Sequence, residues 1–247
     1  WHHVVFTRSD SSGRIYIDGS EVATSGGFVS GNIAHGTGHT LAGYRYLTGY
    51  FYNGAFDEIS IWNRTLQPYE VKEIYENGID LSESNSSNTP LQSNASLIAH
   101  YKYNNNTEDS SNSNNDLANH NASSTSGIES SNAYYFDGVD NYMYTTTDWF
   151  SDPNGDFTLS FWLKYNETSN SLLLDKAGTT TSSANRLFAQ INVNSDIETD
   201  VGNINFFGND GNSWNRISPT VNPGLDDNNW HHVVFTRSDS SGRIYID

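Results

Sequence analysis

Eighteen residues, WHHVVFTRSDSSGRIYID, occur twice in the chain, at Trp1–Asp18 and at Trp230–Asp247. The second copy starts 229 residues after the first, and identity over so long a stretch is far beyond chance. Solenoid repeats recur about every 20 to 50 residues. The longer period therefore predicts repeated units that are each a complete globular domain in a tandem array. Two alternatives stay open: a circularly permuted domain, and a subunit with two copies of one hairpin that neighbouring subunits exchange.

The residues between the two copies indicate short β-strands. Apolar and polar side chains alternate, and clusters of Gly, Asn, Asp and Ser separate the alternating segments. In FTLSFWLKY, at Phe157–Tyr165, the large apolar residues lie on one face, while Trp162 lies on the other. We therefore expect the second face to be partly covered. Each copy of the repeat predicts a tight hairpin around DSSG.

Two segments depart from the strand pattern. LQPYEVKEIYENG has Pro68 at an early position, Glu70 in the first turn and Gly78 as a stop signal, with apolar residues at helical spacing. It predicts a short helix docked on an edge of a β-sandwich. SESNSSNTPLQSNAS, at Ser82–Ser96, has no apolar periodicity and contains Pro90, so it predicts a polar linker over residues 80–96.

Five motifs, taken in the order Leu97–Asp247 and then Gly19–Ile79, resemble a laminin G-like (LamG or pentraxin-type) module of the concanavalin A-like lectin/glucanase superfamily. They are SLIAHYKYNNNTEDSSNSNND, YYFDGVDNYM, GDFTLSFWLK, WHHVVFTR with GRIYIDG, and GYFYNGAFDEISIWNRTLQPYEVKEIY. The resemblance implies an all-β fold, a two-sheet antiparallel jelly-roll β-sandwich with one short C-terminal helix. Residues 1–79 are then the C-terminal half of one repeat and 97–247 the N-terminal part of the next. Alternatively, 97–247 and 19–79 join as one circularly permuted domain.

The resemblance also implies a bound calcium ion, because modules of this family often hold one. The loop NNNTEDSSNSNND is rich in the oxygen ligands that calcium prefers. The positions that match the family's calcium site are Asp57, Glu58, Asp109, Asn112 and Asn115. The alternative is that a loop rich in Asn and Asp only turns the chain and is solvated.

A second acidic string, SDIETD, places Asp196, Glu198 and Asp200 at alternate positions. On a strand these carboxylates share a face and repel one another unless a cation neutralises them. Glucanases of this fold use alternating acids on one strand, but here the outer two positions are Asp rather than Glu. We expect a solvated hairpin here; a second cation site is the next alternative, and a catalytic role is the most remote.

The remaining polar motifs do not indicate an active site. Adjacent strand residues point to opposite faces, so His231 and His232, and their copies His2 and His3, cannot chelate one ion together. No Ser/His/Asp ordering or glycine-rich phosphate loop is recognisable. The sequence therefore predicts that the protein is not an enzyme.

Aromatic residues in polar surroundings suggest carbohydrate binding. Sugars present C–H faces that stack on rings and hydroxyls that hydrogen-bond to Asn and Asp. The stretches GYRYLTGYFYNG and NDGNSWNR supply such residues, and the candidate sugar-binding residues are Tyr46, Tyr50, Tyr52 and Trp214. Half-buried packing of alternating tyrosines is the competing explanation.

Composition limits the partners. The chain has 29 acidic and 12 basic side chains, a net charge of −17, which disfavours nucleic acid and anionic membrane surfaces. No apolar run approaches the roughly 20 residues of a membrane span. Cysteine is absent, which excludes disulfides and thiolate metal sites.

Six Asn-x-Ser/Thr triplets are candidate N-glycosylation sites: Asn63, Asn85, Asn94, Asn105, Asn121 and Asn166.

Together these features predict a non-catalytic repeat unit of an extracellular, cell-surface polymer with a structural or adhesive role. The unit is expected to be stiffened by calcium, to be glycosylated, and to have copies of itself as partners. The alternative is a lectin-like, carbohydrate-binding module that acts on cell-surface or matrix glycans through avidity. A glycoside hydrolase on the same fold is a remote third alternative.

Overall fold

The structure is a computed structural model that describes residues 4–9, 12–17, 20–23, 39–41, 51–79, 96–128, 132–149, 156–167, 171–176, 187–191, 202–209, 214–219, 222–238 and 241–246. In this part of the chain, strands alternate with short connections, and one helix, α1, spans Pro68–Asn77. The strands are β1 (Val4–Ser9), β2 (Ser12–Ile17), β3 (Ser20–Ala23), β4 (His39–Leu41), β5 (Asn53–Trp62), β6 (Leu97–Tyr101), β7 (Ala118–His120), β8 (Ser123–Ser126), β9 (Asn132–Asp137), β10 (Tyr142–Thr145), β11 (Phe157–Tyr165), β12 (Ser171–Lys176), β13 (Leu187–Ile191), β14 (Ile204–Asn209), β15 (Trp214–Ile217), β16 (Trp230–Ser238) and β17 (Ser241–Ile246).

Two antiparallel sheets form a sandwich. The β4 sheet has the strand order β15-β14-β13-β12-β4-β10-β7, and the β5 sheet has the order β17-β16-β11-β5-β9-β8, with β6 also paired to β5. One apolar core joins the two sheets. Across it, the rings of Phe206 in β14 and Phe235 in β16 stack with their centroids 4.0 Å apart. The predicted two-sheet antiparallel β-sandwich is therefore confirmed.

The two copies of the repeated sequence form the same hairpin. Val4 pairs with Ile17 in the first copy, and Val233 pairs with Ile246 in the second. In both hairpins the last pair joins two serines that are three positions apart, so only two residues connect the strands. The first hairpin continues into β3 in a small separate sheet, and the second is the edge of the β5 sheet next to β11. The predicted tight hairpins are confirmed.

Two strands from the first quarter of the chain complete the sandwich. β4 lies between β12 and β10, and β5 lies between β11 and β9. Both occupy interior positions, so each sheet of the 97–247 segment would have a gap without them. How the two segments divide between repeats stays a prediction, and residues 80–95 of the predicted linker lie outside the described part.

Alternation along β11 follows the sequence prediction. The predicted inward residues, from Phe157 to Leu163, are at most 3 % exposed. Thr158 and Ser160 on the other face are also fully buried: the Thr158 hydroxyl accepts from the Leu66 amide, just before α1, and Oγ of Ser160 lies 2.7 Å from Nε2 of His232. The partial cover that Trp162 suggested is confirmed.

The predicted helix is also confirmed, with its expected ends. Gln67 is the N-cap residue; its carbonyl accepts from the Glu70 amide at 2.9 Å, and the Glu70 carboxylate accepts from the Gln67 amide at 2.6 Å. Gly78 is the C-cap residue with φ of 69°, a conformation that favours glycine. The docking position of α1 differs from the prediction. The helix lies on the outer face of the β5 sheet rather than at an edge, with Tyr75 stacked on Trp162 at 5.6 Å.

Candidate functional site

The loop of residues 104–116, between β6 and β7, is organised around Asp109. Oδ1 of Asp109 accepts hydrogen bonds from the His100 and Ser111 amides, both at 2.8 Å. Oδ2 accepts from Oγ of Ser111 at 2.7 Å and from the Asn115 amide at 2.9 Å. The carboxylate is buried; three of its four donors belong to the loop, and the fourth, the His100 amide, ties the loop to β6.

The other predicted calcium residues of this loop take different positions. Asn115 is buried, its Nδ2 donates to the carbonyl of Ile98 at 2.8 Å, and its own carbonyl accepts from the Tyr101 hydroxyl. Asn112 is exposed. Asp116, which the sequence analysis did not select, accepts the Asp109 amide at 2.8 Å. The loop therefore forms a closed polar network around one carboxylate.

Asp57 and Glu58 lie at a bulge in β5. The register against β11 shifts between the pairs Ser60–Ser160 and Asp57–Trp162, and Glu58 has φ of 49°. Asp57 is fully buried and accepts the Glu58 and Ile128 amides, each at 2.9 Å. Such bulges redirect side chains locally, and here the carboxylate of Glu58 contacts His100 in the neighbouring strand β6.

His100 in β6 links the two predicted parts of the site. Its ring Nε2 lies 2.7 Å from Oε2 of Glu58, and its backbone amide donates to Asp109. Glu58 and Asp109 thus contact the same residue, whereas the carboxylate of Asp57 is directed to Ile128.

Calcium requires six to eight converging oxygen atoms. Both oxygens of Asp109 are already hydrogen-bond acceptors for protein groups, and Glu58 is paired with His100. Among the described residues, no three His, Asp or Glu side chains form a group that could hold a metal ion. In this structure the described side chains form a closed hydrogen-bonded network, and calcium binding by this loop stays a prediction.

Buried tyrosines surround the base of this loop. Burial is the largest effect that raises the pKa of Tyr101 above its ordinary value, and the nearby charge of Asp109 raises it further. Burial likewise raises the pKa of Tyr103, with Tyr101 and Asp57 adding to the shift. These hydroxyls are therefore held in the neutral form around the two carboxylates.

Tyr52 requires a correction among the candidate sugar-binding residues. It is fully buried, and its ring stacks on Phe56 at 4.5 Å and on Tyr165 at 5.5 Å. Its hydroxyl donates to the Lys164 carbonyl at 2.9 Å. The ring is part of the core, and it cannot stack on a sugar.

The structure leaves several other predicted residues undescribed. These are Tyr46, Tyr50, the acidic string Asp196, Glu198 and Asp200, the side chain of Trp214, and the candidate glycosylation sites Asn85 and Asn94. The other four candidate glycosylation sites are exposed: Asn63, Asn105, Asn121 and Asn166. Their exposure is compatible with glycosylation, which stays a prediction.

His231 and His232 take separate partners, in agreement with their opposite faces on β16. Nε2 of His231 lies 2.9 Å from Oδ1 of Asp227, and Nε2 of His232 lies 2.7 Å from Oγ of Ser160. Partial burial raises the pKa of Asp227, but hydrogen bonds from Asn229 and His231 outweigh it and hold that pKa below its ordinary value.

The sequence analysis missed a polar and aromatic cavity beneath the C-terminal end of α1. It has a volume of about 310 Å³, and Tyr75, Trp162, His232 and Glu58 lie in its wall. The rings of Trp162, Tyr75 and His232 contact one another pairwise, with the Trp162 centroid 5.6 Å from Tyr75 and 5.0 Å from His232, and 6.0 Å between Tyr75 and His232. Because these rings pack on one another and Ser160 is fully buried, the cluster fixes the helix on the sheet. Trp162 on the polar face of β11 was the available signal for it.

Comparison with known proteins gives the family. A laminin G-like family model, described as concanavalin A-like lectin/glucanases superfamily, matches residues 1–72 and 136–247. A search of curated proteins and a search of solved structures gave no match. The matched segments cover most of the chain, and they contain both copies of the duplicated hairpin and the interior strands β4, β5, β10 and β11. The chain therefore belongs to the concanavalin A-like lectin/glucanases superfamily, as a laminin G-like β-sandwich.

Proposed function

We propose that this chain is a non-catalytic repeat unit of an extracellular polymer with a structural or adhesive role. The observation that carries the proposal is the recurrence of one 18-residue hairpin after 229 residues, with the same strand register in both copies. A period of this length suits one whole domain per repeat, since family domains of this kind close their own core.

The strand order supports the same unit. In a tandem array with this period, the residues after Asp247 would repeat the sequence from Gly19 onward. Every copy of 97–247 would then be followed by its own equivalents of β4 and β5. Those strands are interior in both sheets, so the array would supply each sandwich with the two strands that it needs.

An extracellular location is consistent with the family and the surface. Laminin G-like domains are typically extracellular, and no helix in the described part of the chain is long and apolar enough to cross a membrane. The strong negative charge disfavours nucleic acid as a partner. Neighbouring copies of the same domain are the proposed partners, and the exposed Asn-x-Ser/Thr sites are the proposed positions of glycans.

Surface labelling tests this function. An antiserum raised against the 247-residue chain is applied to intact and to permeabilised cells of the source organism, with an antiserum against a cytoplasmic protein as the control. The proposal predicts labelling of intact cells, which external protease removes. Labelling that appears only after permeabilisation, together with the cytoplasmic control, would contradict an extracellular polymer.

A further inference from the structure

A second cavity lies on the outer face of the β5 sheet, formed by residues other than those predicted for sugar binding. Its volume is about 350 Å³, at the lower end of the range of small-ligand sites. Ala55 in β5 forms the floor, with its cross-strand neighbours Tyr135 in β9 and Lys164 in β11 on either side. A small residue between two long ones makes a trough that is open to solvent. We name it the Tyr135 trough.

The Tyr135 ring is exposed but held in place. It is 39 % exposed, and no other ring in the described part of the chain packs on it. Its hydroxyl donates to Oδ1 of Asn53 at 2.7 Å, and Nδ2 of Asn53 donates to Oε1 of Glu167 at 2.7 Å. A ring fixed by such a network loses little conformational entropy when a ligand stacks on it.

Uncommitted polar groups surround this ring. The ammonium of Lys164, the side-chain amides of Asn166 and Asn228, and the hydroxyls of Thr125 and Ser126 line the trough. None of the five has a side-chain hydrogen bond or ion pair to another described residue. They offer both donors and acceptors to a ligand, without loss of an internal interaction.

We propose that the Tyr135 trough binds one or two residues of an uncharged carbohydrate. A pyranose ring has an apolar C–H face for the tyrosine and hydroxyls that both donate and accept hydrogen bonds, which matches the amides and hydroxyls around it. An anionic ligand fits poorly, because Glu167 offsets Lys164 and the chain carries a net charge of −17. An apolar ligand would leave the polar groups of the wall without partners.

This proposal goes beyond the repeat-unit function and does not rest on it. A single monomeric chain would carry the site, so a result that contradicts the tandem array would leave sugar binding testable. In an array, many weak sites would add through effective concentration.

The carbohydrate could come from either of two sources, which the experiment distinguishes. Asn166 is both a member of the trough and the acceptor of an Asn-x-Thr triplet, so the ligand is either a glycan from outside or one attached at the rim.

Titration of the unglycosylated chain from a bacterial host tests the site. The probes are lactose, cellobiose and N,N′-diacetylchitobiose up to 20 mM, followed by saturation-transfer NMR. The proposal predicts millimolar binding of at least one disaccharide, at least a fivefold loss of affinity in Tyr135→Ala, and retention within about threefold in Tyr135→Phe. Tyr69→Ala, which removes an exposed tyrosine on α1, is the matched control and is expected to bind as the wild type does. Absence of binding, or equal binding by Tyr135→Ala, would overturn the proposal.

A second arm separates the two sources. The chain is also produced in a glycosylating host, with Asn166→Gln as its partner variant. Binding that is lost in the glycosylated chain and restored in Asn166→Gln assigns the trough to its own glycan. Equal binding by both preparations assigns it to an external glycan.

Discussion

Removal of the Asp109 side chain is the most informative perturbation, because it separates a structural carboxylate from a calcium ligand. Asp109→Ala leaves three backbone amides and one hydroxyl without their acceptor. Each buried hydrogen bond of this kind is worth about 1 kcal/mol. The expected loss for the four is therefore about 4 kcal/mol of unfolding free energy, or roughly 10 °C in melting temperature.

Asp109→Asn gives a graded second point. The amide oxygen retains the acceptor for the His100 and Ser111 amides, while the NH₂ group cannot accept from the Asn115 amide. We expect about half of the alanine effect, or roughly 2 kcal/mol. Glu108→Ala is the matched control, because this neighbouring acid is exposed, and we expect a change within about 0.5 kcal/mol.

The assay is urea unfolding of each variant, once in millimolar calcium and once in EDTA. The structural network predicts the same loss for Asp109→Ala in both solutions. A loss below about 1 kcal/mol in EDTA, with a large loss only in calcium, would refute the hydrogen-bond argument and establish the predicted calcium site.

Three further predictions concern the core and the helix. Alkaline pH is expected to destabilise the fold steeply above about pH 10, because unfolded tyrosines ionise there while burial keeps the folded ones neutral. The residues are Tyr52, Tyr101 and Tyr103, and each lowers the unfolding free energy by about 1.4 kcal/mol per pH unit above that pH. Urea unfolding between pH 9 and 11 measures the loss, and an unfolding free energy that does not change with pH would contradict their burial. Glu70→Gln keeps one acceptor oxygen, so it breaks one of the two hydrogen bonds from Arg64, at 2.6 Å and 2.7 Å, and removes the carboxylate charge. The expected cost is about 2 kcal/mol, with Glu73→Gln on the same helix as the control. Gly54→Ala places a methyl group against the Lys164 carbonyl and is expected to cost about 1 to 3 kcal/mol in the same assay, so an unchanged midpoint would refute the close approach of β5 and β11.

Local patterns in the sequence predicted the elements well. The alternation in Phe157–Tyr165 identified a strand with one apolar face, and Pro68 and Gly78 marked the ends of α1. These signals depend on neighbours in sequence, so they can be detected without the fold. The docking position of α1 was wrong, because it depends on which sheet face remains uncovered, and only Trp162 gave a hint of that face.

The roles of individual polar residues were harder to predict. Tyr52 lies in a polar, tyrosine-rich stretch, yet its hydroxyl is satisfied by a carbonyl 112 positions away. Asp109 has the composition of a cation ligand, yet its partners include amides of its own loop. The Tyr135 trough combines residues from five separate segments, so no motif could have indicated it. For Tyr52 and the Tyr135 trough, contacts between distant segments determine the role, and for Asp109 the conformation of its own loop does so.

The central claim is that the chain is one period of a tandem array. Limited proteolysis of the natural polypeptide, followed by denaturing electrophoresis and detection with an antiserum against this chain, tests it most directly. Cleavage in the polar segment over residues 80–96 is expected to give a ladder whose bands differ by one period of 229 residues. A single product of one period, with no larger multiples at the earliest digestion times, would contradict the array and leave a circularly permuted single domain.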